Sequence, residues 1–134
     1  MAENEVRVPI ASDRDIVAAR SQGRTLAIEL GFSSGDITLI ATAISELARN
    51  ILSYARQGEI LIRAIDGSSH AGILIVASDK GPGISDLRQA LLDGFSTSGG
   101  LGLGLPGVRR LMDEFEITSA PMHGTTVKVK KWKL

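Results

Sequence analysis

One long helix with a single apolar face does most to restrict how this chain can fold. Its apolar residues recur at intervals of three and four between Ile37 and Leu52, over about four turns. Such a face needs a partner surface, and the segments 59–65 and 71–77 provide one as two strands joined by a turn. Because segment 71–77 is apolar on both faces, we expect it to lie at the centre of a sheet.

The remaining segments complete an α/β pattern. We expect a strand at 6–10, a first helix from Ser12 to Gly31, and a third helix from about 101 or 103 to 114. Strands at 115–120 and 125–132 are expected around a turn. The pattern predicts one domain, residues 1–134, built as a two-layer α/β sandwich. Its mixed, mostly antiparallel sheet would be covered on one face by about three helices.

Composition excludes several classes of function. Lys plus Arg equals Asp plus Glu at 15 each, so no overall charge draws the chain to nucleic acid or to an acidic membrane. Without cysteine there is no disulfide or thiolate chemistry. His70 and His123 lack a ligand spacing, which disfavours zinc. The apolar runs are too short for a bilayer and the start is acidic, so we expect a cytoplasmic protein.

A glycine-rich stretch at 98–111 leads into the predicted third helix. Free N–H groups and the positive end of a helix dipole favour an anion there, and glycines let a phosphate approach the backbone. A flexible hinge, or close packing of a helix on the sheet, would also explain the glycines. The stretch fits neither the P-loop nor the dinucleotide-binding pattern, so phosphate binding of another kind is indicated.

Glu46 and Asn50 lie one turn apart on the second helix, opposite its apolar stripe. They could form a solvated surface, but the same arc carries Leu39, Ala43 and Tyr54, which favours a partly covered cleft. An amide oxygen suits Mg²⁺ that is shared with substrate phosphates. A carboxylate beside it suits proton transfer from a hydroxyl or water.

Asp79 ends the predicted central strand and begins the sequence Asp-Lys-Gly-Pro-Gly, which stops at Gly83. A carboxylate at a strand end can accept a hydrogen bond from an exocyclic amine such as that of adenine. Gly81 and Gly83 would let the chain lie against a flat base. The same five residues also make an ordinary surface turn, so both interpretations stay open.

Two further segments have an open interpretation. The connection 79–100 changes to Gly, Ser, Thr and Pro with one short helical patch at 85–92, and we interpret it as a lid. The C-terminal lysines could form a binding patch, or could protect an exposed edge strand, which we favour. They are Lys128, Lys130, Lys131 and Lys133.

Taken together, these motifs resemble the N, G1, G2 and G3 boxes of the GHKL ATPase and kinase superfamily, in that order along the chain. The matching stretches are Glu46-Leu-Ala-Arg-Asn50, Asp79-Lys-Gly-Pro-Gly83, Gly100-Leu-Gly-Leu-Gly104-Leu and Gly124-Thr125. Within that superfamily, the small size and residues 41–51 resemble the RsbT group of serine/threonine-protein kinases. The resemblance implies the Bergerat α/β sandwich, with an ATP lid at about 84–100.

The resemblance also implies a role for each matching residue. Asp79 would bind the adenine amine, supported by Gly81, Gly83 and Thr125. Asn50 would coordinate Mg²⁺, and Glu46 would orient or deprotonate the substrate hydroxyl. The ATP phosphates would lie against Gly100, Gly102 and Gly104. A cation for the γ-phosphate is not identified, and Arg49, Lys80 and Arg88 are the candidates.

The function implied by the resemblance is ATP-dependent phosphorylation of STAS-domain proteins in a bacterial stress-signalling assembly, the stressosome. In that family the released kinase activates a PP2C-type phosphatase. The alternative is an anti-sigma factor or switch module that mainly sequesters a protein. A histidine-kinase fragment fits less well because neither histidine lies on a predicted helix, and a gyrase-like ATPase would need further domains.

Overall fold

The computed structural model describes residues 5–81, 104–119 and 122–133. In chain order the elements are β1 Glu5–Ile10, α1 Asp13–Leu30, α2 Ser34–Ala55, β2 Gly58–Asp66, β3 Ala71–Asp79, α3 Gly104–Leu111, β4 Glu114–Ser119 and β5 Thr125–Trp132. The strands form one sheet in the order β1-β2-β3-β5-β4, and each described pairing is antiparallel. None of the described helices is long and apolar enough to cross a membrane.

The two-layer α/β sandwich is confirmed, because one face of the sheet and the apolar face of α2 share a core. Alternate residues of the strands turn toward the helices, as a period of two requires. Ile62 on β2, Ile75 on β3 and Val129 on β5 are fully buried against α2 residues such as Ile44 and Leu47. The core therefore lies between the helices and the central strands.

The central position of β3 is confirmed, since it pairs with β2 on one side and β5 on the other. The interpretation of the C-terminal lysines as protection for an edge strand is wrong. β5 lies between β3 and β4, and the edges are β1 and β4. The Lys130 Nζ instead lies 3.8 Å from Oε1 of Glu114, and the Lys131 Nζ donates to the Leu111 carbonyl at 2.9 Å. Pro9 is tolerated because β1 is an edge strand.

The third helix ends at Leu111 rather than at 114. The Asp113 N–H donates to the Lys130 carbonyl at 2.9 Å, and β4 begins at Glu114 opposite Lys130. The backbone N–H of Asp113 therefore bonds to β5 and is not available for another turn of α3. The short α3 packs on α2, where it covers the arc that carries Glu46.

Candidate functional site

A cavity lies where α2 crosses the end of the sheet, and it brings together three residues predicted to bind nucleotide. Asn50 comes from α2, Asp79 from the end of β3 and Thr125 from the start of β5. The rest of the lining is apolar, from Leu47, Ile51, Tyr54, Ala77, Leu105 and Val127. An apolar wall with a few polar groups at one end is typical of a site for a flat organic ligand.

The carboxylate of Asp79 is oriented by the turn that follows it. Its Oδ1 accepts a hydrogen bond from the Gly81 N–H at 2.9 Å, and no described residue donates to Oδ2. Gly81 is packed so closely on α2 that a Cβ there would lie 2.5 Å from the Cβ of Ala55. The turn therefore needs glycine at this position, and it leaves one oxygen of Asp79 available to accept a hydrogen bond.

Thr125 is held beside Asp79 by strand pairing and by Ser119. Asp79 and Thr125 are paired residues of β3 and β5, and Thr125 is 8% exposed. The Ser119 hydroxyl lies 2.8 Å from the Thr125 hydroxyl, and Ser119 donates to the Gly124 carbonyl at 3.1 Å. Gly124 has φ +80°, and a Cβ there would lie 2.1 Å from the Asp79 carbonyl oxygen. The strand ends that carry Asp79 and Thr125 are thus in close contact.

Asn50 carries a buried polar atom with no partner. Its Nδ2 makes no hydrogen bond with any described residue, and such a group is rare without a ligand. Rotating the amide by half a turn exchanges its nitrogen and oxygen, so the oxygen can face the same space. In the described part of the chain, no three His, Cys, Asp or Glu side chains could hold a metal ion. The donor set therefore fits Mg²⁺ that takes one amide oxygen and completes its shell with phosphates and water.

Glu46 is buried rather than solvated, with 6% exposure. Its Oε1 accepts a hydrogen bond at 3.2 Å from the N–H of Gly104, the first residue of α3, and its Oε2 accepts one from Arg49. The interpretation of this arc as a solvated surface is wrong because α3 packs over it. The same contact brings Gly104, from the glycine-rich stretch, to the second helix.

Some of the other predicted site residues lie outside the described part of the chain, and the rest are exposed or paired. Gly83, Gly100 and Gly102 lie outside the described residues, as do the segment 84–100 and Arg88. Lys80 is exposed and lines a second cavity of about 610 Å³, which Asp79, Gln57 and His123 also line. Arg49, another of the three cations considered for the γ-phosphate, forms an ion pair with Glu46.

Sequence reasoning missed Ser119 and the pairing of Arg49 with Glu46. Ser119 lies within the predicted strand 115–120, but its contact with Thr125 depends on the register of β4 against β5, which no local pattern specifies. The second contact had a visible signal, because Glu and Arg three residues apart on a helix face each other.

The chain is similar to proteins of one family. Residues 35–134 match the family model described as histidine kinase-, DNA gyrase B-, and HSP90-like ATPase. The chain is 54% identical over 125 residues to the serine/threonine-protein kinase RsbT of Bacillus subtilis (strain 168), which covers 93% of this chain and 94% of that protein. It is 31% identical over 118 residues to an anti-sigma F factor of Thermoanaerobacter sp. (strain X514), covering 85% and 82%.

A solved structure shows the same fold. The structure of the RsbU and RsbW domains of Rv1364c from Mycobacterium tuberculosis superposes with a TM-score of 0.67 at 20% identity. The match covers 97% of this chain and 33% of that one.

Proposed function

Because the chain belongs to the family of histidine kinase-, DNA gyrase B- and HSP90-like ATPases, we propose that it is an ATP-dependent protein serine/threonine kinase. The observation that carries the proposal is the meeting of Asn50, Asp79 and Thr125 in one cavity, with Glu46 buried on the next turn of α2. The choice of serine or threonine as acceptor is supported by the 54% identity with a kinase of that name.

Nucleotide binding follows from the groups that line the cavity. The free oxygen of Asp79 would accept a hydrogen bond from the adenine amine. Thr125 lines the same cavity, and Gly81 and Gly83 would complete the base pocket. Asn50 holds Mg²⁺, which neutralises phosphate charge when bound. Gly100, Gly102 and Gly104 would donate N–H groups to the phosphates. The Gly104 N–H, at the first residue of α3, donates to Glu46 without nucleotide and would turn to a phosphate when ATP binds.

Glu46 acts on the protein substrate. Transfer of the γ-phosphate needs a positioned hydroxyl and a group that accepts its proton. Glu46 is one turn from Asn50 on α2, so the acceptor hydroxyl would lie near the metal-bound phosphates. Its burial beneath α3 keeps competing water away from the carboxylate.

The substrate and the downstream partner are part of the proposal. We place the protein in the cytoplasm, in a stressosome-type assembly, where it phosphorylates STAS-domain proteins and on release activates a PP2C-type phosphatase. Similarity both to a kinase named RsbT and to anti-sigma F factors supports a protein that exchanges partners.

The test is phosphate transfer from γ-labelled ATP to a purified STAS-domain protein, followed by mapping of the labelled residue. We expect label on serine or threonine with the natural sequence. Glu46→Gln keeps the shape of the side chain and removes the base, so transfer should fall by about 10²- to 10⁴-fold while ATP binding stays unchanged. Unimpaired transfer by this variant would exclude Glu46 as the base.

A second candidate function is capture of a protein partner with little or no transfer. The 31% identity with an anti-sigma F factor over 85% of the chain favours it. In that case the purified protein binds its partner and ATP tightly but leaves no label, and the Glu46→Gln variant stays active in cells. Labelling of the partner by the natural sequence, and its loss in the Glu46→Gln variant, would favour the kinase.

A further inference from the structure

Arg49 holds the oxygen of Glu46 that faces away from α3. Its Nη1 donates to Oε2 of Glu46 three residues earlier on α2, while the other oxygen, Oε1, accepts from the Gly104 N–H. The side chain of Glu46 is 8% exposed and that of Arg49 is 39% exposed. Burying a carboxylate this deeply is costly without hydrogen bonds and a counter-charge, and Arg49 supplies both.

We propose that Arg49 is a positioning residue for phosphoryl transfer, which keeps the Glu46 carboxylate aimed at the acceptor hydroxyl. The inference rests on the proposed role of Glu46. Two contacts on different oxygens fix both the direction of the side chain and the rotation of its carboxylate.

Bound nucleotide makes the contribution of Arg49 larger. The Gly104 N–H is among the groups assigned to the ATP phosphates, and it has a single hydrogen to donate. When a phosphate takes that hydrogen, Oε1 of Glu46 loses this hydrogen bond, and the pair with Arg49 on Oε2 remains. Arg49 therefore restrains the carboxylate in the state from which transfer takes place.

This assignment differs from a role for Arg49 as the γ-phosphate cation. To reach a phosphate, the guanidinium would have to leave Glu46 and deprive a buried carboxylate of its counter-charge. An arginine that contacts phosphate strengthens ATP binding, whereas a positioning residue changes the rate of transfer and leaves ATP binding alone.

The experiment is a double-mutant cycle with the full chain, Mg-ATP and the STAS-domain substrate. The variants are Arg49→Met, which keeps the aliphatic length without the charge, Arg49→Lys, Glu46→Gln and the double variant Glu46→Gln/Arg49→Met. Arg24→Ala is the matched control, since Arg24 is an exposed arginine on α1 without an ion pair to the described residues. ATP affinity, KM, kcat and thermal unfolding are measured for each.

We expect Arg49→Met to lower kcat by about 10- to 100-fold with unchanged KM and ATP affinity. Lysine at position 49 should restore part of the loss, and the methionine should cost nothing further in the Glu46→Gln background. Weaker ATP binding by Arg49→Met, or losses that multiply in the double variant, would overturn the inference, as would an unchanged kcat. If the natural sequence transfers no phosphate, or Glu46→Gln transfers normally, the proposed function itself fails.

Discussion

At the scale of single residues, the site depends on how Asp79 is held. The Gly81 N–H fixes one of its oxygens, and the close approach of Gly124 places the strand that carries Thr125 against its backbone. These contacts orient the side chain before any ligand arrives, so ligand binding spends little free energy on ordering it. The direction of one carboxylate therefore depends on two glycines far apart in the sequence.

Asp79→Asn should weaken ATP binding by about 10- to 100-fold, because the amide replaces a charged acceptor with a group that also presents donors. Titration calorimetry with a non-hydrolysable ATP analogue measures the affinity. Asp66→Asn is the control, since Asp66 is an exposed aspartate at the end of β2. Equal affinities of Asp79→Asn and the natural sequence would exclude Asp79 as a base-binding residue.

At the scale of elements, local hydrogen bonds set the ends of α1 as the sequence predicts. The Asp15 carboxylate accepts from the N–H groups of Ala11 and Ser12 at 2.8 and 3.1 Å. Gly31 takes φ +85° at the other end. At the end of α2, Arg56 takes the left-handed conformation with φ +70°, and Gly58 is the first residue of β2.

Asp15→Ala should destabilise the protein by about 0.5–2 kcal/mol, because two backbone N–H groups at the start of α1 lose their acceptor. Urea unfolding followed by circular dichroism measures the free energy of unfolding. Asp13→Ala removes the same charge from the same turn and neither of these hydrogen bonds, so it should cost less. Equal losses in the two variants would attribute the effect to the helix dipole instead.

At the scale of the whole molecule, stability and site geometry share one central strand. β3 pairs on both sides, buries Ile75 against the helices and ends in Asp79. The last strand of the chain, β5, closes the sheet between β3 and β4 and brings Thr125 to Asp79. The core and the cavity are therefore parts of one packing unit.

Ile75→Ala should lower the free energy of unfolding by about 2–5 kcal/mol, since it leaves a cavity in the core. Val76→Ala, one residue along on the opposite face of β3, is the matched control and should cost less because Val76 is only half-buried. Chemical denaturation of both variants measures which of them loses more free energy of unfolding. A cost for Val76→Ala equal to that for Ile75→Ala would contradict the difference in burial between the two positions.

Much of the fold follows from local pattern. The period of three and four between Ile37 and Leu52, the capping residues of α1 and the doubly apolar strand 71–77 each specify an element through nearest neighbours. The motifs around Glu46, Asn50 and Asp79 likewise place chemically suitable groups at a helix face and a strand end. By itself the sequence determined the types of element, their order and the residues that could carry chemistry.

The tertiary structure alone decided which of these residues meet. The position of β5 inside the sheet, the contact of Ser119 with Thr125 and the burial of Glu46 beneath α3 all join segments distant in sequence. Such contacts depend on strand register and on the packing of whole elements, which are set by the total apolar surface buried. Local periodicity contains no information about that sum, so the sequence places the C-terminal lysines at a sheet edge although β5 lies between β3 and β4.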